Sequence, residues 1–236
     1  METRRHSAPH LGNPLPAAGE PLDRVPVIKP RVAGATRICI GAVGLLAAVA
    51  AVEHGIGEIA QGSRASGSVV FTSWPDSPAF ASLGGEPAMS LVPNLAASGV
   101  LTIIVGCILG VFAVGFSHRR HAGLILAGVS VLLLLVGGGF GPPLLGLILA
   151  LTTARATARA RPPGRVRRRL SRAWRPLLVI TVLALLGLFP GMVVLYWLAE
   201  VESGGLVAVL TMLAFGGLAL TMLAALTHDR LHPTAR

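Results

Sequence analysis

The chain has 236 residues, 53% of them hydrophobic and only 13% charged, and its mean hydropathy of +0.72 lies outside the range of soluble domains. These values exclude an ordinary soluble enzyme and predict a polytopic membrane protein. The formal net charge of +10 does not point to nucleic acid, because excess arginine in a membrane protein sets topology and meets anionic lipid, and no aromatic interleaving or nucleic-acid module accompanies it.

Several runs of about 20 residues are nearly uncharged, the length needed to cross about 30 Å of hydrocarbon as a helix. They are continuously apolar with no period of two, which excludes a β-barrel, so the expected fold class is an all-α transmembrane bundle. Lys29 is the only lysine, and the wealth of Ala, Gly and Arg suggests a GC-rich bacterial genome. The expected location is therefore the bacterial inner membrane.

Residues 1–35 hold Pro9, Pro14, Pro16, Pro21, Pro26 and Pro30 among scattered charges and read as a disordered tail. The apolar run begins only near Ile38 and no cleavage site follows it, so the first helix is expected to be retained rather than removed as a signal peptide. That span is predicted over 36–59, followed by a polar loop, Gln61 to Val92, with Trp74 and the string GGEPA. The second span, 93–116, ends in the basic turn His118-Arg119-Arg120-His121. Cys39 and Cys107 fall at different depths in these two spans, too far apart for a disulfide.

The third stretch, Ala122 to Ala154, is followed by the richest arginine cluster: Arg155, Arg159, Arg161, Arg165, Arg167, Arg168, Arg169, Arg172 and Arg175. Arginine-rich loops stay in the cytoplasm, so an even number of crossings must separate this cluster from the basic turn before it. The break is offered by GGGFGPP, with Gly137, Gly138, Gly139, Gly141, Pro142 and Pro143. The glycines weaken a helix, and the prolines stop one arriving yet fit the first turn of another. Two short helices are expected, 121–138 and 142–158, either spanning twice or re-entering as a shielded hairpin. Spans at 176–199, with a kink at Pro190-Gly191, and at 205–226 complete six crossings, and the tails 1–35 and 228–236 are both cytoplasmic.

Glu53, His54, Glu58 and Gln61 are the most conspicuous polar residues of an apolar span, and ionisable groups there usually face a partner or a cavity. His54, Glu58 and Gln61 share a helix face, with Glu53 about 100° away. Two readings stand: a polar helix end in which His54 and Glu58 pair at i, i+4, or an outer-leaflet pocket completed by Asn94 and Ser98 from the stripe Asn94, Ser98, Thr102 on the second span. Two helical ligands without Cys or clustered His fall short of a metal site, and no cofactor motif is present. Gly106/Gly110 and Gly187/Gly191 form GxxxG pairs, read as close helix packing. The enzyme templates HExxH, GxSxG and CxxC are absent.

The combination of EHGIGEIAQG, GGEPA followed by Pro93-Asn94, and VGGGFGPPLLG resembles an uncharacterised group of small bacterial multi-pass membrane proteins over about Thr36 to Ala154. The resemblance implies a membrane fold and brings no activity, ligand or cofactor with it. The sequence thus leads to an integral membrane protein with a non-enzymatic accessory, sensing or structural role, its arginine loop on anionic lipid. The alternative is a small-solute, ion or proton transporter using the outer polar pocket.

Overall fold

A computed structural model describes residues 34–75, 85–157, 164–199 and 204–232. The tail 1–33, Arg159, Arg161 and the end 233–236 lie outside them. Four helical stretches are long and apolar enough to cross a membrane: Gly34–Ala60, Leu95–Phe116, Trp174–Leu198 and Gly204–Leu231. Between the second and third lies a hairpin of two shorter helices.

The first stretch is α1 (Gly34–Ala60), which leads to an antiparallel hairpin of β1 (Val70–Ser73) and β2 (Glu86–Met89), with Val70 opposite Met89 and Ser73 opposite Glu86. These strands lie in the segment whose sequence predicts a polar loop. Next come α2 (Leu95–Val111), continued by a π-helical turn at Phe112–Phe116, then α3 (Ala122–Leu135) and α4 (Gly141–Thr157). Val136 to Phe140 make the break: Gly137 and Gly139 take φ of 116° and 67°, which only glycine adopts freely, and Pro142 and Pro143 sit in the first turn of α4.

A short arginine helix, α5 (Arg165–Arg172), precedes α6 (Trp174–Leu186), a π-turn at Gly187–Gly191 holding Pro190, and α7 (Met192–Ala199). The last stretch is α8 (Gly204–Thr211), a π-turn at Met212–Gly216 and α9 (Gly217–Leu231). Pro190 has no N–H to give to the helical ladder, and the π-turn absorbs the missing bond where a kink was expected. The final helix runs past Leu226 to Leu231, so the first residues of the expected C-terminal tail are helical.

Helix α1 is the centre of the bundle, packed against α2, α4, α6 and α9. Small residues allow its close approach to α2: a Cβ at Gly106 would strike Ala51, one at Gly110 would strike Ala48, and Gly55 and Gly99 face each other's carbonyls. This is the packing expected of Gly106/Gly110. Gly187 and Gly191 differ, since Gly187 meets Leu210 while Gly191 turns toward the carbonyl of Leu186 in its own π-turn. Helices α6 and α9 are joined by the hydroxyls of Thr181 and Thr221, 3.0 Å apart.

Large apolar side chains such as Leu124, Leu183, Val111 and Leu198 cover the exterior, whereas Ala, Gly, Ser and Thr fill much of the interior. That distribution suits a hydrocarbon surrounding, where burying Leu inside gains little and small residues let helices approach.

Two ends of the bundle are distinguished by their polar contacts. At one end Asp229 of α9 accepts from the backbone N–H groups of Ala35 (3.0 Å) and Thr36 (2.8 Å), capping the start of α1. Arg230 donates to the carbonyl of Arg155 there, and the Trp174 ring lies 5.7 Å from that of His228. The beginnings of α1, α5 and α6 and the ends of α4 and α9 therefore share this end. The β-hairpin and the glycine break occupy the opposite one.

A candidate polar site under the glycine turn

Two successive turns near the end of α1 carry His54 and Glu58, which are 5% and 0% exposed. Their i, i+4 spacing does not produce a pair. His54 Nδ1 is instead in an ion pair with Glu86 of β2, itself 6% exposed. The strand brings Glu86 over the helix because its neighbours fasten the hairpin to α1. The indole of Trp74, at the end of β1, donates to the carbonyl of Glu53 at 3.3 Å and lies on Gly57, where a Cβ would leave it no room.

The other wall is the break between α3 and α4. Gly139 lies against the His54 imidazole at Nε2, and Gly137 lies against both carboxylate oxygens of Glu58 and the hydroxyl of Ser98. A Cβ at either glycine would come closer than 3.0 Å to those atoms. The glycine turn thus covers both His54 and Glu58, and three separate strings of the sequence, around His54, Glu86 and Gly137, converge here.

Helix α2 supplies the hydroxyls. Ser98 Oγ donates to the carbonyl of Val136 at 2.6 Å and lies 2.9 Å from Ser90 Oγ, and Thr102 Oγ1 donates to the same carbonyl at 3.0 Å. All three side chains are buried. The carboxylate of Glu58 has the Ser98 hydroxyl beside it but accepts no hydrogen bond of ordinary length, and Glu53, half-buried beside His54 and Glu86, has one unpartnered oxygen. A buried carboxylate in this condition is costly unless it holds a proton or a cation.

Of the residues expected to form one pocket, His54, Glu58 and Ser98 meet, and Glu53 borders them. Gln61 and Asn94 are directed elsewhere. Because α1 ends at Ala60, Gln61 lies in the turn beyond it and donates to the carbonyls of Gly57 and Thr72 while accepting from Arg64. Asn94 precedes α2 as its N-cap, accepting from Ala97 N–H at 3.0 Å and donating to Ser63 at 2.7 Å. Glu86, Ser90 and Thr102 were not among the expected site residues. An acidic residue in a polar loop gives no signal, although Thr102 stood in the stripe with Ser98.

Among the described residues, no three His, Cys, Asp or Glu side chains are placed to hold a metal ion. Cys39 and Cys107 are both free thiols, one buried and one on the exterior. A groove of about 630 Å³ between α1 and α2 is lined by apolar residues including Leu45, Val49, Val52, Cys107 and Val111. At the opposite end Arg165, Arg167, Arg168, Arg169, Arg172 and Arg175 are exposed. Arg175 lies over the Trp174 ring. The chain matches no described protein family, no curated protein and no solved structure.

Proposed function

We propose that this is a non-enzymatic integral membrane protein with an accessory, sensing or structural role, in which the β-hairpin is the outward contact element and the exposed arginines rest on anionic lipid. The observation that carries this reading is the ion pair of His54 with Glu86, buried under the glycine turn. It commits His54 of α1 to holding the hairpin on the bundle rather than to lining an open cavity. Opposite ends of the molecule are then mechanically linked through α1, since Asp229 fastens its other terminus.

On this reading the arginine end is cytoplasmic, as positive loops are in an inner membrane, and the hairpin is periplasmic. The arginines neutralise lipid headgroups at about 1 kcal/mol each near the surface, and nucleic acid is not a partner. The strings around His54, Glu86 and Gly137 resemble a group of small bacterial membrane proteins, and their meeting at one place supports a shared design for that group.

A second reading, transport of a small cation, proton or solute, is favoured by one observation: Glu58 is fully buried and accepts no hydrogen bond of ordinary length beside a broken helix, where transporters often place coupling ions. Flux through proteoliposomes containing the purified protein decides between the two. Imposed proton and sodium gradients are expected to dissipate no faster than in empty liposomes. Faster dissipation that is lost in Glu58→Gln would overturn the first reading in favour of the second.

A further inference from the structure

We propose that Glu58, Ser98, Thr102 and the carbonyl of Val136 form a binding site for a dehydrated sodium ion that exchanges with the carboxyl proton of Glu58. Equilibrium binding of this kind serves a sensor and a transporter alike, so such a site goes beyond both readings above.

The donor set is all oxygen. Glu58 provides the only formal charge on it, because the imidazole of His54 is engaged with Glu86. Carboxylate, hydroxyl and carbonyl oxygens suit hard cations, and a single negative charge in a dry site balances one positive charge. Soft or imidazole-seeking metals find no sulfur or nitrogen here. Magnesium dehydrates reluctantly and carries two charges, so a single carboxylate matches it less well.

The backbone adds to the field. Val136 terminates α3, so its carbonyl is at the negative end of that helix, and the helix stops there because Gly137 takes a positive φ. Ser98 and Thr102 both donate to this oxygen, at 2.6 and 3.0 Å, so an ion coordinated by the carbonyl takes the place of one of these hydrogen bonds. Both carboxylate oxygens of Glu58 face the adjacent Gly137 and have the Ser98 hydroxyl beside them, without a hydrogen bond of ordinary length. Packing against the site from α1 come Glu53 and His54, and from β2 comes Glu86; the facing residues of α2 and α3 carry no titratable group. The ion would therefore be held by Glu58, the carboxylate that lies beside Ser98, while His54 and Glu86 engage each other.

The test is equilibrium binding of radioactive sodium to the full-length protein in detergent or nanodiscs, at acidic and alkaline pH, with choline and potassium as competing backgrounds. Saturable sodium binding is expected to strengthen as pH rises, because the ion replaces a proton. Glu58→Gln should weaken it by more than about 10-fold. Ser98→Ala and Thr102→Val, which change less of the packing, should each weaken it roughly 3- to 10-fold through the loss of one oxygen ligand. Absence of saturable binding at every pH, or binding that survives Glu58→Gln, overturns the proposal. An infrared carboxylic C=O band that titrates in the wild type and disappears in Glu58→Gln, without sodium binding, also overturns it and leaves the site to the proton alone.

Discussion

Replacing Gly137 by alanine separates the conformational and steric parts of the glycine turn. Gly137 has φ of 116°, a region that costs an L-residue about 1–3 kcal/mol. Its Cβ would also come closer than 3.0 Å to both Glu58 oxygens and to Ser98 Oγ, and Ser98 cannot retreat without losing its 2.6 Å bond to Val136. Overpacking of that kind costs about 1–3 kcal/mol more. Gly62 is the control, because at φ of 82° it has nothing within 4 Å of its would-be Cβ. Gly62→Ala should therefore cost only about 1–2 kcal/mol. The contact with Glu58 and Ser98 accounts for about 1–3 kcal/mol of the difference between the two variants, any remainder being the less favourable φ at Gly137. In a chain of this size that is roughly 2–12 °C in melting temperature. Thermal unfolding of both variants in the same nanodiscs, followed by tryptophan fluorescence, measures it. Equal melting temperatures for Gly137→Ala and Gly62→Ala would refute the close seating of the turn on Glu58.

Glu86→Gln removes one partner of a buried ion pair and should destabilise the hairpin by about 3–5 kcal/mol; amide exchange in Val70–Ser73 and Glu86–Met89 should rise, and unchanged exchange there would contradict the pairing. Asp229→Ala leaves the N–H groups of Ala35 and Thr36 uncapped, a loss of about 1–2 kcal/mol visible as faster exchange at those two amides, whereas Asp229→Asn should recover part of it. Val166 of α5 is 80% exposed, so Val166→Cys should resist a membrane-impermeant maleimide in intact spheroplasts and react after permeabilisation. Labelling from outside would reverse the orientation inferred from the arginines.

The break in the third apolar stretch was legible because glycine and proline act locally: they interrupt a helix whatever surrounds them. The all-α class was legible for a similar reason, since span length and continuous hydropathy are properties of the chain alone. Half of the site was visible too. His54 and Glu58 stand out because ionisable groups are rare in an apolar span, and Ser98 stands out by its spacing from Asn94. Gln61 and Asn94 shared that periodicity but lie at helix termini, where local capping and turn bonds claim their side chains. Periodicity describes a helix face and stops meaning anything one residue past the helix end.

What the sequence by itself determined is an apolar, helical chain with a glycine break in its third apolar stretch and a segregated basic segment, all consequences of local composition. Only the tertiary structure decided that His54 pairs with Glu86 instead of Glu58, that Gly137 and Gly139 lie on those side chains, and that Asp229 caps a helix near the other end of the chain. These contacts join residues far apart in the chain, and nothing in their local pattern ties one to the other. The partner of a buried charge is set by which elements pack together, and that follows from the whole bundle's close approach along its small-residue faces.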